Sequence, residues 1–276
     1  MISVILPVYN RRDLVGRAIR SVLGQKYVDW EVVVVDDGSE DGTAEGIEDE
    51  FGDVVKLLRK HRNEGVSAAR NLGIREARGE WLALLDSDDE WLPQKLQRQV
   101  EALAQSKLLI CHSDEIWIRN GVRVNPHKHH RKFGGDIFFK ALPLCVMSPS
   151  SIVIHHSVFA RLGLFDERLP ACEDYEFFLR LTANYEVDYV AEKLLLKYGG
   201  HADQLSRAHA AMDRFRVYAL DKLLTAMPAL EEEKRDRARS MLIKKARIVA
   251  GGAKKRDNHS LADEMQQYLD CWERKE

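Results

Sequence analysis

Apolar positions along this chain recur with two periods, and stretches of each alternate. Ile2–Val8 is a short run rich in Ile and Val, which suits a strand, with Pro7 near its end where a missing N–H is tolerated. Leu14, Val15, Ala18, Ile19, Val22 and Leu23 then recur at helical spacing. Four consecutive valines, Val32–Val35, run into the acidic, glycine-rich turn DDGSEDG. A continuous β-branched run of this kind predicts a parallel strand covered on both faces. TAEGIEDEF predicts a weak helix, VVKLLRK a strand, GVSAARNLGIREA a helix with Ser67 available as its cap, and GEWLALLD another strand. Alternation of strand and helix at this pace predicts an α/β fold, a three-layer sandwich around a mostly parallel sheet. Ligands of such sheets bind beyond the carboxyl ends of the strands, and Pro7–Tyr9, Asp36–Asp37 and Asp86–Asp89 all fall there.

Further on, LPQKLQRQVEALAQ predicts a helix and KLLICHSDEIWI a strand, after which regularity fades through RNGVRVNPHKHHRKFGGD. SSIVIHHSVFARLG predicts a strand and short helix, CEDYEFFLRLTANY a helix, and YVAEKLLLKYGGH a last strand. From Leu205 the pattern is almost continuously helical and highly charged. The expected division is residues 1–115 for one half of the α/β domain, 116–204 for the other, and 205–276 as a helical extension.

Composition narrows the function more by exclusion. With 45% hydrophobic and 31% charged residues the chain is an ordinary globular one, and a net charge of −2 gives no overall attraction to nucleic acid. Cys111, Cys145, Cys172 and Cys271 are far apart in sequence and read as reduced cytosolic thiols. No run approaches the ~18 apolar residues of a transmembrane helix, and the start has no basic leader, so a cytoplasmic location is expected.

Two acidic clusters carry the candidate chemistry. In LLDSDDEW, Asp86, Asp88 and Asp89 repel one another unless water solvates them as a turn or a hard cation sits among them. Asp36 and Asp37 end a strand, where they can accept hydrogen bonds from a base or ribose, and Gly38 and Gly42 permit turn conformations closed to other residues.

VILPVYNRRDLVGRAIRSVLGQ, VVVVDDGSEDGT, NEGVSAARNLGIREARGEWLALLDSDD and CEDYEFFLR together resemble family-2 glycosyltransferases of the GT-A fold, over roughly residues 1 to 200. The resemblance implies a nucleotide-diphospho-sugar donor, Mn2+ or Mg2+, and transfer with inversion to a glycan or lipid-linked acceptor. It assigns Pro7, Tyr9, Asn10, Asp36, Asp37, Arg70, Asp86 and Ser87 to the donor, with Tyr9 against the base and Asp37 bonding it. The DxD register gives Asp86 and Asp88 to ribose and metal, with Asp89 as a further metal ligand. The ED pair, Glu173 and Asp174, supplies the catalytic base, with Asp174 favoured. His201 after the last strand is a candidate metal ligand and Arg207 a partner for the diphosphate. The QxxRW motif of the processive synthases is absent, which points to single-sugar transfer. A UDP-sugar is the favoured donor, and surface polysaccharide or glycoconjugate synthesis the expected setting.

Residues 127–132, HKHHRK, fit a solvated loop or a loop over phosphates or acceptor. The basic stretch KRDRARSMLIKKARIVAGGAKKRD fits a solvated helix, a homodimer contact or a peripheral membrane contact at the inner membrane face, and it lacks the aromatic platform of a nucleic-acid binder. A nucleotidyltransferase, a receiver domain and a degenerate sugar-nucleotide-binding module are the rival readings. The first lacks its glycine-rich basic loop here, the second is too short, and the intact acidic motifs disfavour the third.

Overall fold

The structure, a computed structural model, describes residues 1–276 apart from 126, 128–129, 201–208, 210 and 274–276. His201 and Arg207 therefore lie outside the described residues. The described residues form two compact units, one drawn from Met1–Asp136, Val146–Arg168 and Tyr185–His201, the other from Ile137–Cys145, Leu169–Asn184 and Ala202–Glu276.

In the first unit β1 (Ile2–Val8), α1 (Arg12–Leu23), β2 (Trp30–Asp36), α2 (Thr43–Phe51), β3 (Lys56–Arg59), α3 (Val66–Glu76) and β4 (Trp81–Leu84) follow in turn. β1 lies between β2 and β4 and is parallel to both, and β3 extends the sheet beyond β2. Val4–Leu6 and Val33–Val35 are sealed from solvent, as strands covered on both faces must be. Each such side chain contributes on the order of 2 kcal/mol by leaving water. α1 buries Val15, Ala18, Ile19 and Val22, the stripe its periodicity requires. Pro7 pairs in register with Val35, while the ladder to β4 stops at Ile5 and Leu84. Because Val8 carbonyl faces β2 and alternate residues face opposite ways, the Pro7 nitrogen points to the side where no strand continues. At Gly73 of α3 a Cβ would stand 2.5 Å from Ile5 Cγ2, so only glycine lets this helix lie so close to β1.

The sheet then departs from simple alternation. β5 (Glu90–Trp91), α4 (Lys95–Ser106), β6 (Ile110–Arg119), β7 (Val122–Val124), β8 (Ile152–His155), α6 (His156–Leu162) and β9 (Asp188–Gly199) complete the unit, and α5 (Phe138–Ala141) belongs to the second. The strand order is β3-β2-β1-β4-β8-β6-β9-β5, with β7 paired to β6. β8 runs antiparallel between β4 and β6, and β5 antiparallel to β9, so the sheet is mostly parallel with reversed strands inserted. The stretch expected to be irregular, residues 119–136, carries β7. Lys132, at the end of the histidine-rich loop, is buried rather than solvated, its Nζ 2.8 Å from Glu115 Oε2. That ion pair holds the Glu115 carboxyl far below the usual carboxylate range, although burial alone would raise it.

The second unit contains α5, α7 (Glu173–Asn184), α8 (Asp213–Ala226), α9 (Glu232–Lys254) and α10 (His259–Glu273). α7 is buried nearly all round rather than along one stripe. Its charged residues are paired inside: Glu176 accepts from Arg180 at 2.7 and 2.8 Å and lies 2.9 Å from Lys222. Among the described residues no helix is long and apolar enough to cross a membrane.

Candidate active site

The parallel strands deliver three loops to one edge of the sheet, after β1, β2 and β4. Asn10, at φ 48°, ties the first two loops together: its N–H donates to Ser39 Oγ at 2.8 Å, and its Oδ1 accepts from Glu40 N–H at 2.9 Å. Tyr9 beside it is 40% exposed, a ring available for stacking. Gly38 has φ 79°, and a Cβ there would meet the Arg62 backbone at 2.6 Å.

The two aspartates that end β2 differ in what they hold. Asp37 accepts from Lys60 Nζ at 2.6 Å, from Gly65 N–H at 2.7 Å and from Glu64 N–H at 3.1 Å. It thus organises the loop entering α3 and retains little capacity for a ligand. Burial pulls Lys60 down, but hydrogen bonds to Asp37 and Glu64 prevail and hold its ammonium above the ordinary lysine value. Asp36 Oδ1 accepts from Ser39 N–H at 2.7 Å, while its Oδ2 is buried with no hydrogen-bond partner. A buried carboxylate oxygen in that state calls for a donor from outside the protein. Ser67 does not cap α3, because Gly65 occupies the N-cap with φ 95° and the helix begins at Val66. Its hydroxyl is instead a second buried group without a partner.

Arg70, on α3 and 3% exposed, reaches Asp86 Oδ1 at 2.7 Å, with its guanidinium 5.4 Å from the Phe165 ring. Asp86, Ser87 and Asp88 are half-exposed, whereas Asp89 turns inward. Asp89 Oδ1 accepts from Tyr198 N–H at 2.9 Å, and Ser150 donates to the same carboxyl. Burial, then the charges of Asp88 and Asp86, push the Asp89 carboxyl well above the carboxylate range, with Lys197 opposing.

The loop is clamped from distant parts of the unit. Ser150, fully buried, accepts from Asp86 N–H at 3.0 Å through Oγ and from Trp91 Nε1 at 2.8 Å through its carbonyl. Glu90 pairs with Leu196 across β5 and β9. Arg17 donates to the Asp88 carbonyl and lies 3.7 Å over the Tyr198 ring. Ser150, Tyr198 and Arg17 were not legible in the sequence; the SPSS stretch that precedes β8 carries no local pattern that ties it to residue 86.

Among the described residues no group of three His, Cys, Asp or Glu stands ready to hold a metal. A magnesium-type site needs only one or two carboxylates, completed by waters and substrate phosphates. Asp86 and Asp88 offer those hard oxygens, and the crowded negative charge around buried Asp89 suits a cation, so the donor set fits Mg2+ or Mn2+. Asp89 itself is engaged by Tyr198 and Ser150.

In the second unit the ED pair opens α7. Cys172 precedes it at φ 61°, a conformation unusual for a residue with a side chain, and burial raises its thiol to about 12. Glu173 is 5% exposed, whereas Asp174 is half-exposed in the first turn, where the helix dipole favours a carboxylate. Tyr175 behind them donates its hydroxyl to the Leu142 carbonyl.

Comparison with known proteins agrees with this architecture. The model of Glycosyl transferase family 2 matches residues 3–169, and that of Glycosyltransferase like family 2 matches residues 137–225. A glycosyltransferase of Rickettsia felis is 30% identical over 214 residues, which cover 75% of this chain and 35% of that protein. The chain thus spans about a third of that relative's length. The Escherichia coli protein WfgD, a UDP-Glc:alpha-D-GlcNAc-diphosphoundecaprenol beta-1,3-glucosyltransferase, is 27% identical over 190 residues, covering 69% of this chain and 73% of that one. A crystal structure of S. aureus TarS 1-349 in complex with UDP-GlcNAc superposes with a TM-score of 0.72 at 19% identity, covering 88% of this chain and 70% of that chain. The fold is therefore that of the GT-A glycosyltransferases, and with a family match over more than half its length the chain belongs to glycosyl transferase family 2.

Proposed function

We propose that the chain is a metal-dependent, inverting glycosyltransferase that moves one sugar from a nucleotide-diphospho-sugar, with uracil as the favoured base, to an acceptor hydroxyl in surface polysaccharide or glycoconjugate synthesis. The observation that carries this is the sheet edge where half-exposed Asp86, held by Arg70 and Ser150, and Asp88, whose carbonyl accepts from Arg17, follow one strand and the unpartnered Asp36 oxygen ends another. Asp36 accepts an N–H of the base, and Tyr9 lies against the base ring. This refines the expected role of Asp37, which supports the loop behind the base. The UDP-Glc in WfgD's name and the UDP-GlcNAc in complex with TarS support uracil.

In the reaction the acceptor oxygen attacks the anomeric carbon as the bond from that carbon to the diphosphate oxygen breaks. The electron pair leaves with the nucleoside diphosphate, and the acceptor's proton passes to the Asp174 carboxylate. Asp86 and Asp88 would hold a divalent cation, which when bound offsets charge on the departing diphosphate. Arg70 fixes the Asp86 carboxylate, and Ser150 fixes the loop. His201 and Arg207 remain candidates for completing the metal shell and the diphosphate site.

Calorimetric titration with UDP-, GDP- and dTDP-sugars, with manganese and then with EDTA, tests this. One nucleotide sugar binding in a metal-dependent way, and losing that dependence in Asp88→Ala, is the expected result. No binding of any donor in either condition would overturn the donor assignment and favour a degenerate module.

A further inference from the structure

We propose that the outer face of α9, with the groove it makes against α5, is a docking surface for an anionic phospholipid membrane. The net charge of the whole chain is −2, yet the twenty residues from Arg237 to Arg256 hold eight lysines and arginines and no acid. Three of the eight are used inside the unit: Arg239 donates to the Trp272 carbonyl, Lys245 to Asp213 and Arg247 to Glu273. Arg237, Lys244, Lys254, Lys255 and Arg256 are exposed.

The helix sorts these residues by face. Ala238, Leu242, Ala246, Val249 and Ala253 are buried on one side. Arg237, Met241, Lys244 and Ile248 recur every three or four residues on the opposite side, and Lys255 continues the line. At 1.5 Å per residue this stripe is about 27 Å long. Ile248 is 58% exposed, a large apolar side chain set among cations. Beside the first turns lies a cavity of about 400 Å³ lined by Phe139, Leu142, Glu233, Arg237, Ser240, Met241 and Lys244, and Phe139 at its mouth is 41% exposed.

Charge and apolar content together select the occupant. Clustered lysines and arginines on a helix are drawn to an anionic leaflet, and interspersed apolar side chains insert at the headgroup boundary. A nucleic acid would want a row of stacking aromatics, and among the described residues Phe139 is the one exposed aromatic beside this face. An isologous dimer would set the same cations against each other. The consequence for substrate, that the acceptor is presented from a membrane, rests on the glycosyltransferase reading; the docking itself does not.

The test is co-sedimentation of the full chain with vesicles of phosphatidylcholine alone or with about 30% phosphatidylglycerol. The expected result is at least about tenfold stronger partition to the anionic vesicles, lost at about 0.5 M salt. R237E/K244E should lower that partition by at least about tenfold, and Phe139→Ser by a few-fold, with circular-dichroism melts and UDP-sugar titrations unchanged. Equal partition to both vesicles, no partition, or unchanged partition of R237E/K244E would overturn the proposal. So would a concentration-dependent dimer, or tight binding of a DNA oligonucleotide, that R237E/K244E abolishes while vesicle binding persists. Loss of donor binding with vesicle binding intact would instead strike the functional reading and leave this one standing.

Discussion

Replacing Lys95 by methionine should change the stability of this protein in opposite directions at pH 6 and pH 10. Lys95 opens α4 with no solvent exposure; its Nζ lies 4.0 Å from the Trp91 ring centre and donates to Gln99 Oε1. Burial pulls its ammonium down to about 7, with Lys132 pulling the same way and Cys111 opposing. An unfolded lysine titrates near ~10.4. Between those values the unfolded chain binds more protons than the folded one, so stability rises with pH, by up to about 1.4 kcal/mol per unit. Below the folded value the penalty is complete, on the order of 4 kcal/mol. Methionine removes that penalty, in which the cation–ring attraction is already counted, but it strands Gln99 Oε1, at about 1–3 kcal/mol. The variant should therefore be more stable than the parent at pH 6, by about 2 kcal/mol. At pH 10, where most of the penalty is gone and the neutral amine keeps its bond to Gln99, it should be less stable by about 1 kcal/mol. Urea unfolding followed by tryptophan fluorescence at pH steps from 6 to 10 reads the difference, in which other titrating groups cancel. A difference that stays constant across the series would refute the reasoning, since it would mean Lys95 is not held in a depressed state.

Asp174→Asn should keep donor affinity and lower kcat by about 10²- to 10⁴-fold, the range of a lost general base, whereas the buried Glu173→Gln should act mainly through stability. Steady-state kinetics of both variants decide it, and an active Asp174→Asn beside a dead Glu173→Gln would reverse the assignment. Ser150→Ala should strand Asp86 N–H and the Asp89 carboxyl together, costing about 1–3 kcal/mol of stability and raising the donor KM more than it lowers kcat. Ser150→Thr, which keeps the hydroxyl, should restore most of both, and a failure to separate from Ser150→Ala in donor KM would remove Ser150 as a positioning residue.

Local pattern settled a good deal of this molecule. β1, β2 and β4 were legible because each is a mainly apolar stretch, and α1 because it carries an apolar stripe, so period identifies them. Parallel order then sends Tyr9, Asp36 and Asp86 to one edge, and the motifs in that order identify the family. Contacts between residues far apart in sequence decided the rest. Nothing near residue 152 shows that β8 will run backwards between β4 and β6, since strand direction depends on which neighbours are paired. The sequence gives three equivalent acids after β4. Ser150 and Tyr198, 61 and 109 residues along the chain from Asp89, draw it inward and leave Asp86 and Asp88 toward solvent. Asp36 and Asp37 are equally adjacent letters, and only the return of Lys60 and Gly65 saturates one carboxylate while an oxygen of the other stays unpartnered. Hydrophobic period is a local quantity carried by neighbouring residues, whereas the state of a carboxylate is set by whatever donors the fold brings within about 3 Å of it.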